Sequence, residues 1–330
     1  MTTCLGASSG ASPGACPGAC LICGSARFAP LFTASDRLYH TTAQRFAVVR
    51  CGNCGLIRLN PPPAPDELHR YYPDTYWFAP DSTAASRLEE AYRRLVLRDH
   101  VRFAAQAIAH SRAQGPLLDA GCGGGLFLGM MRRRGVRVLG LDYSREAAAI
   151  AWRRQQAPAV CATLDAAPFR AGSIGALTMF HVLEHLYDPR AYLTAAHELL
   201  EPDGRLIVQV PNAACWQFRL LGRRWNGFDV PRHIFDFRGG DMEKLLHGCG
   251  FEVVRRKYFS LRDNPAGLAS SLAPWLDPMA RRVRRIRETG GVRLAKDLTY
   301  LALVVASLPF TVLEAAFGAG STVMIEARRR

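Results

Sequence analysis

Beyond residue 115 the chain alternates between short apolar runs and longer segments whose apolar residues recur every three or four positions. The runs at 117–120, 136–142, 159–165, 174–180 and 204–210 are too short for helices and nearly continuous, which predicts strands buried on both faces. Segments 251–255 and 321–328 supply two more. Between the first two runs, Leu126-Phe127-Leu128-Gly129-Met130-Met131 reads as the apolar face of a helix. Strands separated by helices predict an α/β, doubly wound sheet of seven strands over 115–330. Upstream, Leu88, Tyr92, Leu95, Val96, Phe103 and Ile108 keep near-helical spacing and predict one helix over 83–113. The last two strands are separated by a helical insert, 262–318. Its stretch 298–313 carries no charge, and Pro309 and Glu314 bound the useful apolar length. Residues 1–19 hold Gly, Ser, Pro and Ala without periodicity and predict a disordered tail. Residues 20–62 form a small cysteine module, and 63–114 a proline-stiffened linker with the helix. Tyr71-Tyr72-Pro73-Asp74-Thr75-Tyr76-Trp77-Phe78 in that linker is dense in aromatics and is expected to pack on the next domain.

The chemistry lies at the ends of these runs. Cys20-Leu-Ile-Cys23-Gly24 and Cys51-Gly-Asn-Cys54-Gly55 are two Cys-x-x-Cys knuckles, each followed by a glycine that permits a tight turn. Four thiolates satisfy a tetrahedral structural zinc, so Cys20, Cys23, Cys51 and Cys54 predict a zinc ribbon, expected to staple a module too small to build its own core. Asp119-Ala-Gly121-Cys-Gly123-Gly-Gly125 joins the first strand to its helix, a layout that brings backbone N–H groups up to a ligand. The dinucleotide fingerprint requires glycines at offsets of two and then three. Gly121 and Gly123 satisfy the first offset, but Leu126 stands at the third position, which argues against a nicotinamide or flavin site.

Asp119-x-Gly121-x-Gly123-x-Gly125 resembles motif I of the class I S-adenosylmethionine-dependent methyltransferases, whose glycines let the chain pass close to the methionine part of the cofactor. Asp142 ends the second strand, 23 residues after Asp119, where the family accepts both ribose hydroxyls; Tyr143 follows it. Asp165-Ala166-Ala-Pro168-Phe169 resembles the family's Asp-x-x-x-Pro-Phe turn, whose acid faces the adenine amine. The ribbon with its Tyr-Tyr-Pro linker also resembles bacterial methyltransferases of this group. The resemblance implies a Rossmann-like sheet and S-adenosylmethionine bound by Asp119, Gly121, Gly123, Gly125, Asp142, Tyr143, Asp165 and Ala166.

After the fourth strand comes His181-Val-Leu-Glu184-His185. A metallopeptidase uses His-x-x-Glu-His, but both histidines must share a helix face, and here Asp188-Pro189 interrupts soon after a buried strand. Ubiquinone-pathway O-methyltransferases carry Glu-x-x-Glu-His at this place, a triplet that can bind a divalent ion; His181 replaces the first carboxylate. Methyl transfer to oxygen needs a base, and His181 is the first candidate, His233 in Val230-Pro231-Arg232-His233 the second, with Glu184 and His185 completing the catalytic set.

The formal charge of +14 invites a nucleic-acid or anionic-membrane partner, yet all but three of the 42 basic residues are arginine, which points partly to composition bias. Ten cysteines without a charged, apolar leader at the N-terminus lead us to expect a reducing cytoplasm. Arg281, Arg282, Arg284, Arg285 and Arg287 precede the uncharged stretch of the insert. That pairing suits a segment lying on an anionic membrane, peripheral at its inner face, or an ordinary buried hairpin. The acceptor is thus expected to be a small molecule, saccharide or lipid-linked compound. The alternatives are an RNA methyltransferase gripping RNA with its ribbon, and a non-catalytic cofactor-binding scaffold.

Overall fold

The computed structural model describes residues 18–73 and 84–330, with helix side chains reported from residue 89. The disordered-tail expectation for 1–17 and the aromatic run from Asp74 to Phe78 lie outside the described residues. Strands β1 (Phe28–Ala34), β2 (Phe46–Cys51) and β3 (Ile57–Leu59) form the N-terminal module. A 3₁₀ turn, Pro65–Tyr71, leads towards α1 (Ala84–Val96) and α2 (Arg98–Ala109). The expected single helix is therefore two, meeting at Leu97. The break lets α2 turn His100, Val101, Phe103, Ala104 and Ala107 inward together.

The α/β domain runs β4 (Leu117–Ala120), α3 (Leu126–Arg132), β5 (Val138–Asp142), α4 (Arg145–Gln155), β6 (Ala159–Cys161), β7 (Ile174–Phe180), α5 (Pro189–Leu199) and β8 (Leu200–Pro211). It continues through α6 (Trp216–Leu221), β9 (Phe235–Asp236), α7 (Gly239–Gly248) and β10 (Phe251–Lys257). The helices α8 (Asn264–Leu272), α9 (Pro278–Val283) and α10 (Gly290–Ala316) precede β11 (Thr322–Arg329). The seven-stranded sheet has the order β6-β5-β4-β7-β8-β11-β10, with β11 antiparallel to both neighbours. Every residue of β4 and six of the seven in β7 are buried, as two-sided cover by helices requires. The connections reverse direction between β4 and β7, and the chain ends that leave these two strands border the crevice where open α/β sheets bind ligands.

Two elements differ from their sequence reading. Strand β6 stops at Cys161, and Leu164–Ala166 forms a 3₁₀ turn instead of extending the edge strand. Pro309 does not end the apolar helix: α10 continues through it to Ala316. Proline removes one backbone donor, and Pro309 lies on the exposed side of α10, where water can satisfy the freed carbonyl.

The N-terminal sheet has the order β1-β2-β3-β9, so its fourth strand comes from the α/β domain. Arg232, fully buried, fixes this junction. Its five N–H groups are all engaged: Nε with Asp229 Oδ2 (2.8 Å), Nη1 with Asp36 Oδ2 (3.0 Å) and the Tyr71 carbonyl (3.1 Å), Nη2 with Asp36 Oδ1 (2.9 Å) and Asp229 Oδ1 (2.6 Å). Its guanidinium also stacks 4.5 Å from the centre of the Tyr39 ring. Burial alone would raise the Asp36 pKa, but Arg232 overrides it and holds the carboxyl below its usual range. Removing one member of such a set leaves an uncompensated buried charge. Arg232→Met should cost about 3–5 kcal/mol in urea unfolding, and a loss under 1 kcal/mol would show that the triad does not hold the junction.

Candidate functional site

The glycine loop leaves β4 with Gly121, Gly123 and Gly125 at φ of +79°, +51° and +72°. Gly121 is constrained twice, because a Cβ there would stand 2.7 Å from Val182 Cγ2. The loop therefore leans directly on the segment that leaves β7. Asp119 is buried beneath it and accepts from Thr178 Oγ1 at 2.6 Å. Burial, with Asp142 nearby, pushes the Asp119 carboxyl up to about 7.

Asp142 closes β5. Its Oδ2 accepts from the Gly123 N–H and its Oδ1 from the Ser144 N–H, both at 2.8 Å. Each oxygen keeps a further lone pair for a ligand. Tyr143 beside it is 57% exposed, and Asp165 and Ala166 are exposed on the turn after β6. The parallel register of β4, β5 and β6 thus sets the eight residues of the sequence reading at the ends of three adjacent strands.

The second half of the site follows β7. His181 adopts φ +57°, unusual for a residue with a side chain. Its Nδ1 lies 3.1 Å from Glu184 Oε1 and its Nε2 3.5 Å from Asp263 Oδ2. The Gln209 amide nitrogen is 2.8 Å from the same Nε2 and donates to Asp263 Oδ2 at 2.7 Å. Burial alone would lower the His181 pKa, but Asp263 and then Glu184 outweigh it and bring it to about 9. Asp263, from the insert, and Gln209, on β8, escaped the sequence reading. Gln209 left a signal, as a polar residue within the apolar run of the fifth strand; Asp263 left none.

His185 and His233 pack edge to face, ring centres 4.6 Å apart. The Nδ1 of His233 lies 2.8 Å from the Gly227 carbonyl, and the Nδ1 of His185 lies 3.0 Å from the Arg232 carbonyl and 2.9 Å from the Tyr72 hydroxyl. Burial, then His233, pushes His185 down to about 4, so it is a neutral imidazole at pH 7. Glu184 is 1% exposed and its Oε2 has no partner among the described residues. Glu184, His185 and His233 offer three ligand atoms within 4.8 Å of one another. Beside them, burial followed by Glu184 and Asp229 drives the Asp236 carboxyl well above the usual range. Glu184 and His233 also touch the N-terminal module indirectly. The Ile234 N–H donates to the Glu184 carbonyl (2.7 Å), and the Ile234 carbonyl accepts from Leu59 (2.9 Å).

In the cysteine module, the sulfurs of Cys20 and Cys54 are 3.4 Å apart and those of Cys23 and Cys51 3.6 Å apart; all four lie within 4.8 Å of one another. Gly24 and Gly55 take φ of +70° and +80° and close each knuckle by donating to the Cys20 and Cys51 carbonyls. The donor set suits tetrahedral zinc. Arg190 of α5 donates to the Leu21 carbonyl at 3.0 Å, and Arg238 to that of Cys54, so both knuckles are clamped to the α/β domain.

A seven-stranded sheet with this strand order, a glycine loop and acids at successive strand ends defines the class I S-adenosylmethionine-dependent methyltransferases. The profile of the methyltransferase domain family matches residues 88–256, half of the chain, and the protein belongs to that family. Among curated relatives, a probable S-adenosylmethionine-dependent methyltransferase of Mycolicibacterium smegmatis is 30% identical over 45% of this chain and 56% of its own length. The ubiquinone biosynthesis O-methyltransferase of Xanthomonas axonopodis pv. citri is 36% identical, over 42% and 62%; that of Cronobacter sakazakii is 29% identical, over 49% and 70%. A solved S-adenosylmethionine-dependent methyltransferase from Archaeoglobus fulgidus superposes with a TM-score of 0.47 at 16% identity, over 75% of this chain and all of that one.

A raised histidine pKa means that its ion pairs stabilise the fold fully below the unfolded value near 6.5 and cease to do so as pH rises through about 9. Urea midpoints should fall between pH 6.5 and 9.5, and His181→Gln should flatten that fall. An unchanged slope in the variant would place the titration elsewhere.

Proposed function

We propose that this protein transfers a methyl group from S-adenosylmethionine to an oxygen of a small-molecule or lipid-linked acceptor, with His185 as the base. The observation that carries it is the neutral His185, backed by Glu184 in the loop against which the glycine turn leans and packed edge to face on His233. S-adenosylmethionine, when bound, supplies the methyl group as a sulfonium, ready for displacement at carbon. Asp142 and Asp165 are assigned to the nucleoside and Asp119 to the cationic end, whose charge favours the ionised form of that buried acid. Positioning does most of the remaining work, because displacement needs donor and acceptor in line and water excluded. His185 takes the proton from the acceptor hydroxyl as the new O–CH₃ bond forms, and the adjacent Glu184 carboxylate stabilises the resulting imidazolium.

This assignment moves the base from His181, which already holds a proton at neutral pH between Glu184 and Asp263. His181 becomes a fixed positive charge that orients Glu184. Two of the relatives are ubiquinone biosynthesis O-methyltransferases, which supports oxygen as the target atom, and the apolar insert beside the site supports a lipid-linked acceptor at a membrane surface. A second reading has one observation in its favour: a Glu184 carboxylate oxygen gathers within 4.8 Å of two imidazoles whose Nδ1 atoms rest on backbone carbonyls, the arrangement that presents a histidine to a metal. There Glu184, His185 and His233, without His181, would hold a divalent ion, which would supply Lewis-acid polarisation of the acceptor.

Two variants separate binding from chemistry. Asp142→Ala should weaken S-adenosylmethionine binding by about 1–3 kcal/mol in calorimetry. His185→Gln should leave that affinity intact and lower kcat about 10²–10⁴-fold on a catechol or phenol acceptor. The wild-type rate should fall on the acid side near pH 4, the His185 value, at any metal concentration. An acid limb that shifts with added divalent ion would favour the metal reading instead. For the cysteine module, we expect one zinc per chain by elemental analysis, lost in Cys54→Ser together with several degrees of thermal midpoint; metal-free wild-type protein of unchanged stability would remove the zinc.

A further inference from the structure

We propose that the outward face of α10 is a docking surface for an anionic lipid bilayer, with the helix lying in the plane of the membrane. Leu294, Leu298, Leu301, Val305, Val312 and Phe317 on this helix and its end are 45–70% exposed. From 294 to 312 they fall four, three, four and seven residues apart, which places them on a single stripe. No charged side chain interrupts the stretch between Asp297 and Glu314. The helix is long and apolar enough to cross a membrane by length and composition, yet only 22% of its apolar window is buried. Soluble surfaces rarely leave so continuous an apolar face open to water.

The opposite face shows why the helix lies along the membrane and does not cross it. Val304, Ser307, Thr311 and Glu314 are buried against the protein. The Tyr300 hydroxyl meets Ser270 Oγ at 2.9 Å, and Gln217 donates to Glu314 Oε2 at 3.0 Å. Near its start, Arg281 pairs with Glu288 and Asp297, and Lys296 with Glu288. At its end, Trp216 of α6 packs on Phe317, ring centres 5.4 Å apart. A helix of about 40 Å held at start, middle and end has one face left to offer.

Charge identifies the occupant. Arg284, Arg285 and Arg287 gather near the N-terminal end of α10 and enter no ion pair among the described residues. Arg281, part of the same arginine run in sequence, is buried and spent on Glu288 and Asp297. Alongside α10, α6, whose Trp216 packs on Phe317, presents Leu220, 69% exposed, flanked by exposed Arg219 and Arg223. A cluster of arginines therefore precedes the apolar stripe, and further exposed arginines stand on the segment packed beside it. Two copies pairing in parallel through this stripe would bring Arg284, Arg285 and Arg287 against their counterparts, whereas anionic headgroups meet these arginines while acyl chains receive the leucines. The insert also reaches the candidate site, since Asp263 at the start of α8 contacts His181. On the proposed reading of a lipid-linked acceptor, docking would hold the site mouth at the bilayer.

The test is flotation of the full-length chain with vesicles of pure phosphatidylcholine or of phosphatidylcholine with 30% phosphatidylglycerol, on the order of physiological anionic content. Wild-type protein should bind the anionic vesicles at least tenfold more tightly than the neutral ones, less so in high salt. The triple variant Arg284→Gln, Arg285→Gln, Arg287→Gln should lose that preference, on the order of a hundredfold in the partition constant. Leu298→Asp with Val305→Asp should abolish binding to both vesicles; both sites are exposed, and unchanged S-adenosylmethionine affinity in each variant would establish that the fold is intact. Indifference of the wild type to anionic vesicles overturns the proposal. So does a dimer in sedimentation that Leu298→Asp with Val305→Asp dissolves, or RNA binding that the arginine variant loses while vesicles have no effect. Vesicle binding needs no acceptor, so its failure leaves the methyl-transfer reading standing, and lack of turnover by a vesicle-bound protein overturns only that reading.

Discussion

A guanidinium without water must give every one of its hydrogens to an acceptor, and Arg232 does so at the point where the two halves of the molecule meet. Asp36 comes from the N-terminal module, Tyr71 from the linker and Asp229 from the loop before β9. Three chain segments far apart in sequence are thereby held at one place. The next residue is His233 and the one after it Ile234, whose backbone joins β3 to the Glu184 loop. The geometry around Glu184, His185 and His233 therefore depends on a buried charge cluster beside it. Such clusters rarely add net stability over an apolar replacement, but they define position sharply.

The two sides of the crevice are built on different physical terms. On the side of the glycine loop, Asp142 accepts the backbone N–H groups of Gly123 and Ser144, so the pattern is local. On the acceptor side, titratable groups are pushed in opposite directions within a few ångströms. His181 is held charged between two carboxylates, His185 is kept neutral by burial, and Asp236 is pushed towards its protonated form by burial, with Glu184 and Asp229 nearby. Two histidines four residues apart are thus shifted in opposite directions by their surroundings.

That contrast explains what could be read along the chain. Buried parallel strands are nearly continuous apolar runs, and their terminal acids stand out, so the sheet, Asp119, Asp142, Asp165 and the cysteine pairs were legible. The protonation of His181 was not, because Asp263 arrives from an insert with no local relation to β7. Strand β9 has two residues, too few to register as a run, and its membership in the N-terminal sheet is a purely tertiary fact. Arg232 read as the neighbour of a candidate base, not as the centre of a buried cluster. The reach of α10 past Pro309 was missed because a proline on the exposed side of a packed helix has a smaller effect than its intrinsic preference implies.

The pairing of β3 with β9 also orders events on the ribosome. Residues 57–59 are synthesised long before residues 235–236, so the edge of β3 stays open while about 175 further residues are added, on the order of ten seconds or more at ordinary elongation rates. During that interval the nascent module presents unpaired backbone groups and lacks the partner of Asp36. The cysteine knuckles can gather early, since both precede residue 55, but the sheet beside them cannot close. An unpaired strand edge is a template for wrong partners, including the same strand of a neighbouring nascent chain. Crowded polysomes are therefore where this strand edge is most open to a wrong partner.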